Sequence, residues 1–517
     1  MSECPQLPVG WAASTIGEIA DQAIEQAGPN GGGAFLYVDI SSIDRGIKRI
    51  VDAKVLPVES APSRARQRLQ PGDVLVSMTR PNLNAVAILP AEMKGAIGST
   101  GFFVLRSHHV TAKWLFFLVQ TTRFVDAMSN LVLGVLYPAV RPKDIASHTL
   151  FLPPSREQNR IVAEIEKQFT RLDAAVAALG RVQANLKRYR AAVLKAACEG
   201  RLVPTEAELA RKEGRSYETG EQLLARILKE RRTKWEAGQL AKMVAGAKPS
   251  KNDDWKRKYT EPKPPDMRAL PRLPDGWIWV SLDQIICAGP QNGLYKAASA
   301  YGTGTPILRI DDYQIGSCKP REDLKCLRTS GDEEALYALA PGDIILNRVN
   351  SPSHLGKCTV VAAKLCPCVF ESNMMRFRTS ELIDPEWVTT VLQTVDGKAR
   401  LTANAKWAVN QASINQQDIK QTAVPLPPTA EKAQILAAVR QQLSINLKLG
   451  EELDTTSRHA ERLRQSILKH AFEGKLVAQD LDDEPASVLL ERIRVERVTH
   501  RLTHRDKKLK TGLTKTI

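Results

Sequence analysis

The sequence predicts an α+β fold in which two tandem, β-rich domains are separated by two long antiparallel coiled-coil helices. Three observations predict this fold. The chain repeats itself once over most of its length, each copy begins with short strand-like segments between glycines and prolines, and each copy continues into a long helical run. Two similar helices in one chain can bury their apolar faces against each other, so we expect a pseudo-twofold internal duplication.

The duplication consists of four pairs of similar segments that keep the same order along the chain. In the last pair, seven of ten residues are identical. Each copy is domain-sized, which argues against a solenoid of short repeats. The pairs are LPVGWAASTIGEI (7–19) with LPDGWIWVSLDQI (273–285), LQPGDVLVSMTR (69–80) with LAPGDIILNRVN (339–350), DIASHTLFLPPSREQNRIVAEIE (144–166) with DIKQTAVPLPPTAEKAQILAAVR (418–440), and LKAACEGRLV (194–203) with LKHAFEGKLV (468–477).

The first part of each copy is predicted to be a compact domain rich in β-structure. Short runs of branched residues, such as GAFLYVDI (33–40) and TPILRID (305–311), alternate with glycines and prolines. A short helical stretch follows these runs in each copy. The two domains are predicted to span residues 1–152 and 273–426.

The second part of each copy is predicted to begin with a long helix after the sequence LPP. The residue before a proline disfavours helical geometry, and Ser155 and Thr429 then occupy natural N-cap positions. Gln158 lies three residues after Ser155 and completes a capping box. Gly200 and Gly474 are predicted to end the helices, because glycine adopts the left-handed conformation of a helix C-terminus without strain.

The long helices are predicted to pack through apolar residues that recur in steps of three and four. In the second copy, Asn446, Gly450 and Thr456 interrupt this seam. Either a polar residue fixes the register there or the helix is locally loose. The predicted seam positions are Ile161, Ile165, Phe169, Leu172, Val176, Leu179, Leu186, Val193, Ile435, Val439, Leu443, Leu453, Leu463 and Ile467.

A second amphipathic segment follows each long helix, at residues 220–236 and 485–502. The helical regions are therefore predicted to span residues 153–244 and 427–517. Residues 245–272, between the two copies, are rich in proline and lysine and are predicted to form an exposed linker.

The composition favours an anionic partner. The 517 residues carry a formal net charge of +16, which suits nucleic acid, although a merely basic protein would have the same charge. The sequence shows no signal-peptide pattern and no apolar run long enough to span a membrane, so we expect a cytoplasmic protein. The eight cysteines are irregularly spaced, and even the close pair Cys366 and Cys368 is more typical of reduced thiols than of a zinc site.

The two LPxGW openings, the two PGD segments and the two helices that end in LKxAxEGxLV together resemble the DNA specificity subunit of a type I restriction–modification enzyme. The resemblance covers nearly the whole chain. It implies two target-recognition domains, each of which recognises one half of a bipartite, asymmetric DNA sequence. It also implies paired helices that act as a spacer and as a docking site for methyltransferase subunits. The first long helix begins with the family pattern SREQ, whereas the second begins with TAEK.

The resemblance also implies partners and cofactors. Double-stranded DNA and two methyltransferase (modification) subunits would bind the chain, and restriction or translocase subunits would join through that complex in host defence. S-adenosylmethionine, ATP and magnesium would belong to those partner subunits. The chain itself would hold no cofactor and no metal, carry no catalytic residue and contact no membrane.

The residues themselves indicate binding rather than catalysis. The sequence contains neither the Asn/Asp-Pro-Pro-aromatic motif nor the methyl-donor loop of an adenine methyltransferase, and it lacks the GxxxxGK[ST] phosphate-binding loop. Asp311 and Asp312 precede EDLK (322–325), but acidic pairs near a lysine are common and do not define a nuclease site.

Base recognition is expected in two regions of each copy, because Arg, Asn and Gln can form two hydrogen bonds to a base edge. One region follows the PGD segment, and the other precedes the segment that leads to LPP. The scaffold residues repeat there while the loop residues differ, as two different half-sites require. Phosphate contacts and ordinary polar turns are the alternatives for each residue. The candidates are Arg80, Asn82, Asn84, Tyr137, Arg141, Asn347, Arg348, Asn350, Ser351, His354, Lys357, Lys406, Asn410 and Gln411.

Two other functions fit the same pattern. A coiled-coil scaffold whose globular domains bind protein would have similar helices, and a solitary sequence-specific DNA-binding protein would need no methyltransferase. Sequence-dependent DNA binding in the presence of the methyltransferase separates a specificity subunit from the scaffold, and the neighbouring genes separate it from the solitary protein.

Overall fold

The computed structural model forms two compact units. Unit 1 extends to Arg181 and resumes at Leu453, and unit 2 is Val182–Glu452. The long helices Ser155–Cys198 and Thr429–Phe472 therefore contribute one part to each unit. The structure describes residues 7–20, 24–132, 138–246, 253–314, 317–351, 354–409 and 411–513.

The first copy forms short strands and short helices ahead of its long helix. The strands are β1 (Ala12–Thr15), β2 (Ala34–Val38), β3 (Ile43–Asp44), β4 (Arg49–Ile50), β5 (Lys54–Pro57), β6 (Ala65–Arg68), β7 (Val74–Ser77), β8 (Val86–Ile88), β9 (Ile97–Ser99), β10 (Phe102–Leu105) and β11 (Thr149–Leu152). The helices are α1 (Ile16–Ile19), α2 (Ala112–Leu118), α3 (Thr122–Asn130), α4 (Pro142–Ala146) and α5 (Ser155–Cys198).

Two further helices precede the second copy, which follows a similar succession of elements with an additional helix at Gly331–Tyr337 and additional strands. The helices are α6 (Glu206–Glu213), α7 (Gly220–Ala245), α8 (Leu282–Ile285), α9 (Gly331–Tyr337), α10 (Pro385–Leu392), α11 (Val395–Leu401), α12 (Gln416–Gln421), α13 (Thr429–Phe472) and α14 (Ala486–Leu513). The strands are β12 (Ile278–Ser281), β13 (Ile286–Asn292), β14 (Tyr301–Leu308), β15 (Tyr313–Gln314), β16 (Ser317–Cys318), β17 (Cys326–Leu327), β18 (Ile344–Asn347), β19 (Val349–Asn350), β20 (Cys358–Val360), β21 (Val369–Phe370), β22 (Met374–Thr379), β23 (Lys406–Ala408), β24 (Gln411–Ser413) and β25 (Ala423–Leu426).

The β-rich domains of the two units contain equivalent strand pairings. Unit 1 has sheets of order β5–β2–β9–β6 and β10–β7–β8, and unit 2 has sheets of order β17–β14–β21 and β13–β22–β18–β20. The parallel pair β2–β9 corresponds to the parallel pair β14–β21. The strands after the two PGD segments, β7 and β18, are fully buried because their residues are almost all branched and apolar. The predicted α+β class and internal duplication are confirmed.

The LPxGW openings are joined to the starts of the long helices in the same way in both units. Strand β1 pairs with β11, and β12 pairs with β25. The indole Nε1 of Trp11 donates a hydrogen bond to Glu157 Oε2 at 3.0 Å, and that of Trp277 donates to Glu431 Oε1 at 2.9 Å. These bonds hold each β-rich domain against the first turn of the long helix that follows it.

Each β-rich domain also packs against the end of the other copy's long helix. In unit 1, Ile467 and Leu468 of α13 join the core that contains Trp114. In unit 2, Val193 and Leu194 of α5 join the core of the second domain. The domain boundaries predicted from the sequence divide the chain into consecutive segments. Each compact unit, by contrast, combines elements from both copies.

The helix ends explain the repeated EGxLV sequence. Gly200 and Gly474 follow α5 and α13 with φ of 65° and 70°, as the predicted left-handed positions require. A Cβ atom on Gly200 would lie 2.5 Å from Pro274 Cγ, and one on Gly474 would lie 2.5 Å from Pro8 Cγ. Only glycine lets the helix end approach the proline of the other copy's LPxGW sequence this closely.

The seam residues of the long helices are most buried near the helix ends and less buried elsewhere. Among the predicted seam residues, Ile161, Ile165, Phe169, Val193, Ile435, Val439 and Ile467 are buried, and Leu172, Leu179, Leu186, Leu443 and Leu453 are partly buried. In unit 2, Asn446 Nδ2 donates to the Leu186 carbonyl at 3.0 Å, so this polar seam residue makes a specific contact between the helices.

Two seam positions differ from the prediction. Val176 is 40% exposed and Leu463 is 52% exposed. Val176 borders a groove in unit 1 that is also lined by Ala177, Ser457 and Ala460, whose short side chains leave it uncovered. The apolar repeat in the sequence is therefore not one continuous buried seam.

Most described residues of the predicted linker are exposed, and a few are packed. Trp255 is 8% exposed and stacks on Trp235 of α7 with ring centroids 5.9 Å apart. Farther along, Trp279 Nε1 donates to the Pro271 carbonyl at 2.8 Å. The aromatic residues in this Lys- and Pro-rich segment account for its packing onto unit 2. Among the described residues, no helix combines the length and apolar character needed to cross a membrane.

Candidate nucleic-acid interface

In the first domain, the two candidate regions lie side by side. After strand β7, the chain runs along the segment that precedes α4, and Val140 N donates to the Met78 carbonyl at 2.9 Å. Two residues farther on, Arg80 N donates to the Pro138 carbonyl at 2.8 Å. Two regions that are distant in sequence therefore form one surface.

The second domain has the equivalent contact. Ile414 N donates to the Arg348 carbonyl at 2.9 Å, which matches the bond between Val140 and Met78 position for position in the repeat. The strands there extend into a small sheet of order β19–β24–β23. Asn350 pairs with Ala412 in this sheet, so the region after β18 again meets the region before α12.

The loop after β7 has an unusual backbone. Arg80 and Asn84 adopt φ of 49° and 43°, and Lys48 in the adjacent β3–β4 hairpin adopts 55°. Among the described residues, these are the non-glycine residues with positive φ, and Lys48 Nζ donates to the Asn84 carbonyl at 2.6 Å. Left-handed backbone in non-glycine residues is unfavourable and is often found at functional sites.

The first-domain candidates differ in accessibility. Arg80 and Asn82 are exposed, and Asn84 is half-buried. The exposed guanidinium of Arg141 bonds the Asp144 carboxylate, with Nη2 to Oδ1 at 3.1 Å, and this hydrogen bond lowers the pKa of Asp144. Tyr137 lies outside the described residues.

The β3–β4 hairpin adds basic residues that the sequence prediction missed. Arg45 and Arg49 are exposed, while Lys48 is half-buried against the Asn84 loop. Burial lowers the pKa of Lys48, and the nearby charge of Glu461 opposes this effect. Arg45, Lys48 and Asn84 line a groove of about 1490 Å³ in unit 1. The segment DRGIKR, with three cations in six residues, was the available sequence signal.

Two second-domain candidates have internal partners. Asn347 is fully buried, and its Oδ1 accepts a hydrogen bond from the Tyr313 hydroxyl at 2.6 Å. Lys357 Nζ donates to the carbonyls of Ile310 and Tyr313 at 2.7 and 2.8 Å, and burial lowers the pKa of this lysine. These side chains hold the β15–β16 hairpin to the domain, which corrects their placement at an exposed base-reading loop.

The remaining candidates after β18 are accessible to different extents. Arg348 is half-buried, and its Nη1 donates to the Ser372 carbonyl at 3.2 Å. Asn350 and Ser351 are half-buried, and the Ser351 hydroxyl lies 3.0 Å from Nδ1 of the exposed His354. Asn350, Ser351 and His354 therefore lie at the surface of this region.

The second candidate region of this domain is a β-hairpin. Lys406 and Gln411 lie on its two strands and are exposed. Asn410 lies outside the described residues. The hairpin pairs with β19 through β24, so Lys406 and Gln411 belong to the same small sheet as Asn350.

Asp312, Cys358 and Cys368 are buried in the second domain. Asp312 forms an ion pair with Lys319 at 2.7 Å. Burial raises the pKa of the Cys358 and Cys368 thiols to about 12, so these thiols stay protonated at neutral pH. Within the part of the chain that the structure describes, no group of three or more His, Cys, Asp or Glu residues could hold a metal ion.

Known proteins that match this sequence include specificity subunits of type I restriction enzymes. The specificity subunit of the type I restriction enzyme EcoKI from Escherichia coli K12 is 22% identical over 444 residues, which cover 83% of this chain and 82% of that protein. The chain is a homologue of type I restriction enzyme specificity subunits. The StySPI specificity subunit from Salmonella potsdam is 22% identical over 515 residues and covers 95% of this chain and 96% of its own length.

A solved structure supports the fold of this specificity-subunit homologue. A chain from a study of complex assembly and conformational transition in a type I restriction–modification system aligns with a TM-score of 0.63 at 22% identity. The alignment covers 91% of this chain and 100% of that one. No protein-family model matches the sequence.

Proposed function

We propose that this chain is the DNA sequence-recognition subunit of a type I restriction–modification complex. Each β-rich domain recognises one half of a bipartite, asymmetric target, and the chain itself is not catalytic. The specificity-subunit names of its homologues support this role, as does the agreement in length with those proteins.

One observation carries the proposal. The bond from Val140 to Met78 and the bond from Ile414 to Arg348 join the same two loop regions at the same 2.9 Å distance. The side chains around these bonds differ between the two copies, as in Arg80 against Asn350. An identical frame that carries different hydrogen-bonding side chains suits two domains that recognise different bases on similarly shaped DNA.

The proposed DNA contacts follow from exposure. We exclude Asn347 and Lys357, whose polar atoms are bound within the domain. The β3–β4 hairpin of the first domain adds phosphate contacts, because its exposed arginines lie beside the base-reading loop. The proposed base-contacting set is Arg80, Asn82, Asn84, Arg141, Arg348, Asn350, Ser351, His354, Lys406 and Gln411, with Tyr137 and Asn410 kept from the sequence prediction.

The helices are proposed to have two roles. The long helices α5 and α13 determine the unspecified spacer between the half-sites and offer docking surfaces to two methyltransferase subunits, through which restriction or translocase subunits join. S-adenosylmethionine, ATP and magnesium belong to those subunits. The proposed location is the cytoplasm, where chromosomal and incoming DNA meet the complex in host defence.

The deciding experiment maps methylated adenines in cells that carry the chain with its methyltransferase. The expected result is one bipartite motif, and exchange of residues 273–426 for the equivalent region of a homologue changes only one half of it. The variant Gln411→Ala, which keeps Asn347 and Lys357, tests the role of a single residue within one domain. Methylation without any sequence motif, or protein binding without DNA binding, would instead support a scaffold.

A further inference from the structure

The β23–β24 hairpin presents an exposed tryptophan next to the proposed DNA surface. The structure describes all eight tryptophans of the chain, and seven are buried or half-buried. Trp407 is 63% exposed, and Val409 at the hairpin turn is 93% exposed. Removal of a large indole from water lowers the free energy, so an exposed tryptophan beside a binding surface indicates a contact with a partner.

The hairpin is continuous with that surface. Trp407 pairs with Ala412, Lys406 pairs with Ser413, and β24 continues the sheet to Asn350 on β19. Strand β23 is the outer strand of this sheet, and its three residues are all exposed. Trp407 and Asn350 both pair with Ala412, so the indole and the Asn350 amide lie on the same face of this small sheet, whereas Gln411 lies on the other.

The charge of this segment suits DNA. From residue 397 to 417 the sequence has no acidic residue, and Asp418 beyond it is buried as part of a helix cap. Lys406, the residue before Trp407, is exposed. A two-stranded β-ribbon fits the major groove of B-DNA, where the apolar feature of a base edge is the thymine methyl group.

We infer that the β23–β24 hairpin enters the major groove of the second half-site and that Trp407 is a specificity-determining residue that packs on a thymine methyl group. This inference rests on the proposed function. Val409, two residues after Trp407 at the hairpin turn, extends the apolar contact.

The test uses the assembled complex of the chain with its methyltransferase subunits. Methylated adenines are mapped in cells for the wild type, Trp407→Ala, Trp407→Phe and Val395→Ala. Val395 is the matched control, because it is 78% exposed on α11 of the same unit. The wild type must first yield a bipartite motif, and failure at this step would refute the proposed function itself.

Trp407→Ala is expected to relax one thymine-containing position of the second half-site and to weaken binding about tenfold, comparable to one mismatched base pair. The first half-site remains unchanged. Val395→Ala keeps the wild-type motif, and Trp407→Phe retains most of the preference because an aromatic ring remains.

Binding to a duplex with deoxyuracil in place of that thymine gives a second readout. The wild type is expected to lose affinity on this duplex, whereas Trp407→Ala binds both duplexes equally. An unchanged motif with affinity within about twofold of the wild type, or relaxation only at G·C pairs, overturns the inference. If Trp407→Ala abolishes methylation, Trp407→Phe decides: recovery of the motif supports the contact with DNA, and failure to recover it indicates a role in assembly instead.

Discussion

The indole of Trp11 donates its hydrogen bond to Glu157, a carboxylate that is 1% exposed. The equivalent bond in the second copy joins Trp277 to Glu431. The copies differ at the second carboxylate oxygen. Glu431 Oε2 accepts from the backbone N–H of Glu206 at 3.0 Å, whereas Glu157 Oε1 is buried without a hydrogen-bond partner among the described residues.

The substitutions Glu157→Gln and Glu431→Gln are therefore expected to have opposite effects. In the first, the amide oxygen still accepts from Trp11 and a buried charge disappears, so unfolding at pH 7 shifts to slightly higher denaturant. In the second, the amide cannot accept from both N–H donors, which costs about 1–3 kcal/mol. Urea unfolding of each variant measures the difference, and equal shifts in the same direction would contradict it.

The pH dependence provides an independent check. Burial raises the pKa of Glu157 and Glu431. A carboxyl with a raised pKa binds more protons in the folded state, so its contribution to stability falls as pH rises from the unfolded value of 4.5 through the folded value. Glu157→Gln is expected to flatten the part of the stability curve that falls as pH rises above 4.5.

Gly200→Ala and Gly474→Ala are expected to destabilise the chain by about 2–3 kcal/mol, because each combines left-handed φ with a Cβ placed against proline. The control is Gly180→Ala on α5, where a Cβ would meet nothing within 4 Å. That change should stabilise by up to about 1 kcal/mol, since alanine favours a helix over glycine. Thermal unfolding distinguishes the signs, and destabilisation by Gly180→Ala would argue against this account.

Arg80→Ala is expected to relax one position of the first half-site and leave the second unchanged. Alanine retains the Cβ atom, so the strain of the left-handed backbone at Arg80 is the same in both proteins. The loss of a two-bond contact to guanine costs about 1–3 kcal/mol in discrimination. Motif mapping measures this, with the exposed helix residue Arg171→Ala as the control, and an unchanged first half-site removes Arg80 from the base-contacting set.

Arg45→Ala is expected to weaken DNA binding without changing the motif. A phosphate contact contributes equally to every sequence, and its loss lowers the slope of log affinity against log salt by about 1. Binding measured across a salt series gives this slope. A relaxed base preference in this variant would instead place Arg45 at a base edge.

A heptad inserted after Arg181 in α5, together with one after Glu452 in α13, is expected to lengthen the unspecified spacer by about three base pairs, because seven helical residues rise about 10 Å. The two insertions are made together so that the helices keep their pairing. Both half-sites should remain the same in methylation maps. Altered half-site bases would refute the spacer role.

The sequence predicted those features that depend on nearby residues. The helix starts after LPP, the left-handed glycines after the helices and the strands after PGD all follow from local geometry and apolar pattern, and the structure agrees. The predicted capping box differs, because the Gln158 side chain accepts from Thr111 N and donates to the Pro153 carbonyl instead. The sequence also located the two loop regions that come together in each domain. It could not identify the internal roles of Asn347 and Lys357, because their partners Tyr313 and Ile310 lie more than 30 residues away in the chain.

The sequence by itself determined the duplication, the two long helices and the absence of recognisable catalytic motifs. Only the tertiary structure determined that each LPxGW sequence packs on the helix end of the other copy, through Pro8 on Gly474 and Pro274 on Gly200. It also separated the exposed Trp407 from the seven other tryptophans, which are buried or half-buried. The physical reason is that burial and close packing depend on which distant segments meet, and residue spacing along the chain does not specify that meeting.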